Sequence, residues 1–246
     1  MTIFSFEIWW ITLAPTWYGV MYAVSFLIGL YLIGKQFSEK ETDTLFFATV
    51  LGVIIWGRLG YVLFYNLGYF LDNPLEIFMP WKGGMSFHGG AIWVILAWYI
   101  ASKKMGKSFL KIADKLVWIV PIGLFFGRIG NYINGELMGV PGYTWVLARN
   151  VDGVNYFPTP LLEALLEWII LFLFLFWRKK RTDYDGQVWV WFLWGYGIMR
   201  FFAEFFRLPD VQIGYLTGWW MTLGHVFSLL MIIFAVMIGL ILKRKT

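Results

Sequence analysis

Seven apolar runs recur along the chain, at residues 17–34, 44–67, 86–102, 110–130, 160–177, 188–206 and 221–242, each bounded by charged or turn-forming residues. A membrane-spanning helix needs about 20 predominantly apolar residues, somewhat fewer or more with tilt, so each run predicts one span. The third run is short and carries Gly89 and Gly90 near its start. A broken or re-entrant beginning is expected there, tolerable only under a cover of protein or water. Ahead of the first run, the aromatic segment Phe4 to Trp10, ended by Pro15, predicts an interfacial strip. Residues 1–15 hold no lysine or arginine and no small-residue cleavage site follows the first run, so no secretory signal peptide is expected.

The polar stretches between runs set topology. Lys35 and Lys40 follow the first run, Lys103, Lys104, Lys107 and Lys111 the third, Arg178 to Arg181 the fifth, and Lys243 to Lys245 the last. The alternate loops carry only Lys82, Arg149 and Arg207. Positive charge collects on the cytoplasmic side, which predicts an N-terminus outside and a C-terminus in the cytoplasm, as an odd number of spans requires. Segment 140–158, with Pro141-Gly142, Asn150, Asp152-Gly153 and Asn155, is dense in turn signals and predicts a small extracytoplasmic cap. The expected fold is therefore an all-α integral membrane protein, a single polytopic domain over 1–246 with about seven transmembrane helices. No inverted repeat of the transporter kind is visible.

Composition agrees: the 246 residues are 60% hydrophobic and only 14% charged, too apolar for a soluble domain. The formal charge of +5 sits at span ends rather than on one face, so nucleic acid is not an expected partner. There is no cysteine, hence no disulfide and no thiol nucleophile on the chain itself. The two histidines are far apart in sequence and join no ligand cluster, so no metal is expected. The many aromatics read as interfacial belts and lipid-facing bulk, and no cofactor is assigned.

Against this background the polar groups inside the runs are conspicuous. An arginine at the centre of a span costs roughly 2.5–3.5 kcal/mol, so Arg58, Arg128 and Arg200 each need a partner or water. Arg58, Tyr61 and Tyr65 share one helical face; Tyr196, Arg200, Glu204 and Arg207 share another. That second face reads equally as an internal ion-pair ladder. Three arginines against Glu204 and Glu136 leave positive surplus, which invites an anion, and the planar guanidinium fork suits phosphate oxygens. Glu163 and Glu167, one turn apart, are candidate partners for the arginines, and Asp114 for Lys111 or Lys115. His88 lies in the glycine-rich stretch from Gly83 to Gly90, where backbone or substrate can approach closely; His225 reads as structural or as a helix-to-helix hydrogen bond.

Gly127-Arg128-Ile129-Gly130-Asn131-Tyr132-Ile133-Asn134-Gly135-Glu136-Leu137-Met138-Gly139 resembles the signature of the prolipoprotein diacylglyceryl transferase family. Trp17-Tyr18-Gly19 with Tyr22, the stretch from Gly57-Arg58 to Tyr65-Asn66, Gly83 to Gly90, and Tyr196 through Arg200, Glu204, Arg207, Pro209 and Asp210 look like further family blocks, in family order. The resemblance covers nearly the whole chain. It departs where the family commonly reads His-Pro-Thr or His-Pro-Ser and then Gln or Phe, Leu, Tyr, Glu, since this chain has Phe157-Pro158-Thr159-Pro160-Leu161-Leu162-Glu163. It departs again at Gly224-His225, where Gly-Gln is usual.

The resemblance implies transfer of the diacylglyceryl group of phosphatidylglycerol to the lipobox cysteine of a preprolipoprotein, in the bacterial inner membrane, with the active site toward the outer leaflet. It implies His88 as base, with Arg128 and Arg200 on the headgroup phosphate. Asn131, Asn134 and Glu136 would position groups, and Tyr18 and Arg58 would line the lipid site. Gly139, Tyr196, Glu204 and Arg207 complete the expected substrate-binding set. The partners implied are phosphatidylglycerol, signal peptides carrying a lipobox cysteine, and membrane lipids. A direct transfer suits a chain without cysteine, which can form no thioester of its own. The rival readings are a lipid-binding paralogue without activity and a transporter of an anionic solute. A transporter would spread ionisable groups through the bilayer depth.

Overall fold

The computed structural model describes residues 6–8, 11–13, 16–79, 84–144, 147–209, 214–218 and 220–244. Phe4, Trp10, Pro15, Lys82, Gly83 and Asp210 lie outside them. The chain is mostly helical. Two short strands, β1 (Phe6–Ile8) and β2 (Ile11–Leu13), pair antiparallel and precede α1 (Trp17–Gly34). Then come α2 (Glu39–Leu51), a π turn (Gly52–Trp56), α3 (Gly57–Tyr65), α4 (Leu67–Asp72), a 3-10 turn (Pro74–Phe78), α5 (Phe87–Lys104) and α6 (Phe109–Val117). After α7 (Val120–Asn134), the hairpin β3 (Arg149–Val151) and β4 (Val154–Tyr156) leads to α8 (Thr159–Ala164), a second π turn (Leu165–Ile170) and α9 (Leu171–Arg178). Helices α10 (Gln187–Glu204) and α11 (Leu223–Lys243) close the chain.

Four helical stretches among the described residues are long and apolar enough to cross a membrane: Trp17–Gly34, Glu39–Leu63, Thr159–Arg178 and Leu223–Lys243. Their outward faces are apolar, as with Leu27 on α1 and Phe234 and Leu240 on α11, which suits lipid rather than water. The three other apolar runs are also helical. The fourth run, expected as one span, is two helices, because Trp118 and Ile119 leave the helix and Pro121 restarts it within the first turn of α7. Nor does the third run begin broken. Helix α5 is regular from Phe87, capped by Ser86, whose Oγ accepts the Gly89 N–H at 3.2 Å.

The chain divides into two compact units, residues 29–113 and residues 1–28 with 114–246. In the first, the helix containing Gly57 and Gly60 crosses α5 at Gly89. A Cβ on Gly60 would lie 2.9 Å from the Gly89 Cα, and one on Gly89 would lie 2.5 Å from the Trp56 carbonyl. Glycine is needed there for backbone contact between helices. Trp56 and Trp93 stack at 3.5 Å beside the crossing.

In the second unit α10 and α11 pack together along their length. The Asp114 carboxylate anchors α10 from outside it, accepting the Gly186 N–H at 2.7 Å and the Trp189 N–H at 3.0 Å. Lys111 and Lys115 were its expected partners from sequence spacing. The unsatisfied N–H groups and positive dipole end of a helix N-terminus favour a carboxylate there.

Candidate functional site

The signature segment is the end of α7 and the turn after it. Helix α7 terminates because Gly135 takes the left-handed conformation, φ 75°. The turn then brings Glu136 back onto the helix. Its carboxylate accepts from Asn131 Nδ2 at 2.8 Å and Asn134 Nδ2 at 3.2 Å, and its N–H donates to the Asn131 carbonyl at 2.9 Å. Asn131 is buried. The two asparagines and the glutamate of the motif thus satisfy one another and fix the turn.

Gly139 ends the segment where three stretches of backbone meet. Its N–H donates to the Phe157 carbonyl at 2.9 Å, while the Val140 N–H donates to Phe206 at 3.0 Å and the Leu208 N–H to Met138 at 3.2 Å. A Cβ at Gly139 would stand 2.3 Å from both the Phe206 carbonyl and Thr159 Oγ1. Only glycine fits.

Arg128, one turn before Asn131 on α7, faces two fully buried carboxylates. Its Nε lies 2.9 Å from Glu163 Oε2 and 3.3 Å from Glu167 Oε2. Arg200 Nη1 pairs with the other oxygen of Glu163, and Nη2 lies 2.6 Å from Glu204 Oε2. Arg207 Nη1 reaches the same Glu204 oxygen at 4.0 Å. Tyr196, buried on the same face of α10 as Arg200 and Glu204, lies near Glu167 and Arg128. Tyr18 joins from α1, its ring packed where a Cβ on Gly130 would be 2.7 Å away.

The charges of this cluster balance. Arg128, Arg200 and Arg207 meet Glu163, Glu167 and Glu204, three against three, so the surplus suggested by counting only Glu204 and Glu136 is not found among these residues. Burying carboxylates completely is expensive unless they are paired, and each guanidinium meets that need. Both glutamate contacts of Arg128 use Nε. An anion approaching this cluster meets arginines already oriented and held by fixed carboxylates.

Arg58 and His88 belong to the other unit. Arg58 is buried and holds loop backbone: Nε donates to the Ile77 carbonyl at 3.1 Å, Nη1 to Gly84 at 3.2 Å and Nη2 to Glu76, with its guanidinium 4.8 Å over Phe70. The His88 backbone lies in the first turn of α5; its side chain, like that of Tyr65, lies outside what is described. The neighbouring glycines have packing duties, Gly89 at the helix crossing and Gly84, at φ 79°, against the Tyr61 ring.

Residues 5–241 match the protein-family model for prolipoprotein diacylglyceryl transferase. The chain belongs to this family. It is 45% identical over 230 residues to the phosphatidylglycerol-prolipoprotein diacylglyceryl transferase of Aliivibrio fischeri, covering 90% of this chain and 83% of that one. The enzyme of that name from Hydrogenovibrio crunogenus is 44% identical over 229 residues, with 88% and 86% covered. The one from Bordetella avium is 42% identical over 245 residues, with 95% and 92% covered.

Within a diacylglyceryl transferase family member, the two departures acquire a physical reading. Phe157 is buried, its ring between Tyr143 at 4.8 Å and Phe206 at 5.1 Å, and so supports the junction at Gly139 by packing. His225 closes a capping box at the start of α11, accepting the Thr222 N–H on Nδ1 at 3.2 Å. Glutamine commonly fills that third helical position for the same purpose. The sequence offers Glu163 and Glu167 as partners of the arginines, and they take that place; Thr222 it did not single out. Two carboxylates one turn apart in an apolar run were the signal for the first pair, and Thr-x-x-His before an apolar run for the last.

Proposed function

We propose that this protein transfers the diacylglyceryl group of phosphatidylglycerol to the lipobox cysteine of a preprolipoprotein. The observation that carries the reading is the Arg128–Glu163–Arg200 group, built on Arg128 of the family signature, in a chain 45% identical to a transferase of that name. Sulfur forms a bond to the glyceryl CH2 that bears the phosphate, the C–O bond to phosphate breaks, and glycerol phosphate departs with the electron pair. The departing phosphate goes from one negative charge toward two. Arg128, through the Nη groups that its glutamates do not use, and Arg200 stabilise that growing charge. The thiol, with an ordinary pKa near 8.5, gives up its proton before or during attack; His88 is our candidate acceptor, a role worth on the order of 10²–10⁴ in rate.

Asn131, Asn134 and Glu136 take positioning roles, Tyr18 and Arg58 line the lipid site, and Gly139, Tyr196, Glu204 and Arg207 complete the substrate-binding set. Our reading is a single domain of about seven spans in the bacterial inner membrane, N-terminus outside and C-terminus cytoplasmic. Segment 140–158 caps the outer face and the site opens to the outer leaflet. The charge distribution of the loops supports that orientation. The test is direct: purified protein is mixed with phosphatidylglycerol and a lipobox peptide, and the peptide is weighed. A diacylglyceryl mass on the cysteine is expected; none from correctly folded protein would refute the reading.

A further inference from the structure

At the start of α11, four residues form a chain of contacts that ends on Arg200. The Thr222 hydroxyl donates to Glu204 Oε1 at 2.9 Å, and Glu204 Oε2 holds Arg200 Nη2 at 2.6 Å. Thr222 is itself fixed by the reciprocal capping box with His225, whose Nδ1 accepts the Thr222 N–H. Gly224 makes the approach possible, because a Cβ there would lie 2.4 Å from the Glu204 carboxylate. The carboxylate therefore rests against the first turn of α11.

The network also sets the imidazole tautomer. With the hydroxyl proton directed to Glu204 and Nδ1 accepting, the ring proton belongs on Nε2. Nε2 is buried and has no hydrogen-bond partner among the described residues. It lies among aromatic rings set edge to face: Phe205 at 4.6 Å, Phe201 at 4.9 Å and Trp220 at 5.6 Å between centroids. A residue chosen only to fill an apolar cage would carry no nitrogen. His225 is wedged by the rings so that Nδ1 meets the Thr222 N–H.

We propose that Thr222 and His225 are positioning residues for the transfer, acting through Glu204 to fix the guanidinium of Arg200. This rests on the reading that Arg200 meets the phosphate. None of the three residues at 222, 224 and 225 need touch substrate.

The test compares Thr222→Val, Thr222→Ser, His225→Leu and His225→Gln, each alone and with Glu204→Gln, for turnover, phosphatidylglycerol affinity by native mass spectrometry, and thermal unfolding. Loss of a hydrogen bond to a charged group should lower kcat on the order of 10-fold or more in Thr222→Val and His225→Leu. Thr222→Ser and His225→Gln, which keep the donor and the acceptor, should recover it. In the Glu204→Gln background the Thr222→Val change should add no further loss, a non-additivity that a simple helix cap would not produce. Wild-type turnover and affinity in Thr222→Val, or equal losses with and without Glu204, would overturn the proposal. Should Thr222→Val not fold, the His225 pair decides by the same criteria. Wild-type protein that binds phosphatidylglycerol without transferring it would refute the reaction, while the affinities of the variants would still decide the positioning role.

Discussion

Arg128 Nε lies 2.9 Å from Oε2 of Glu163, a carboxylate with no solvent exposure. Glu163 also holds Arg200, so one acidic side chain from α8 fixes two guanidiniums from α7 and α10. Removing its charge strands both arginines. Glu163→Gln is expected to lower transfer by on the order of 10²-fold, and to cost up to about 3–5 kcal/mol of stability, as for one partner lost from a buried pair. Peptide mass analysis and thermal unfolding in detergent read the two effects.

Arg128→Ala should abolish transfer and leave the protein inserted in the membrane. Membrane fractionation with the lipidation assay distinguishes this from loss of the protein, and retained turnover would show that the phosphate is held elsewhere.

Gly139→Ala places a methyl group 2.3 Å from the Phe206 carbonyl and from Thr159 Oγ1, neither of which can retreat without opening the junction. A loss of about 1–3 kcal/mol is expected, as for other overpacked sites. Gly123→Ala on α7, with nothing within 4 Å of the new methyl, should be neutral or stabilise by about 0.5–1 kcal/mol. Unfolding midpoints of the two variants give the comparison.

In the unit spanning 29–113, Gly89→Ala drives a methyl group 2.5 Å from the Trp56 carbonyl and should separate the crossing helices, whereas Gly29→Ala meets nothing within 4 Å. Limited proteolysis of the 66–86 region should accelerate in the first variant and stay unchanged in the second.

Asp114→Ala removes the acceptor for the Gly186 and Trp189 N–H groups. A loss of about 0.5–2 kcal/mol is expected, the usual range for a lost helix cap, with Asp114→Asn milder because one oxygen remains. Thermal unfolding checks both.

Much of this was legible from one-dimensional pattern. The first helix runs over the same residues as the first apolar run, 17–34, because length and hydropathy alone define it. The ladder Arg200, Glu204, Arg207 follows from spacing along one helix and forms as expected. The pairing of Arg128 with Glu163 and Glu167 was legible as a need for partners, though not as particular distances, since it joins separate helices. What spacing could not reveal was reach across the fold: Asp114 choosing Gly186, or Thr222 reaching Glu204. The glycines around His88 left two uses open, close approach of backbone or of substrate, and Gly89 serves the first.

The π turn at Leu165–Ile170 interrupts the helical register between Glu163 and the end of α9. Such a turn is one residue added to an α-helix. An engineered or natural chain lacking that residue would keep the apolar faces of both flanks yet swing Glu167 away from its place beside Glu163. Alignments of relatives should therefore tolerate substitution at the lipid-facing positions 165, 169 and 170 far better than any single-residue gap between 163 and 171.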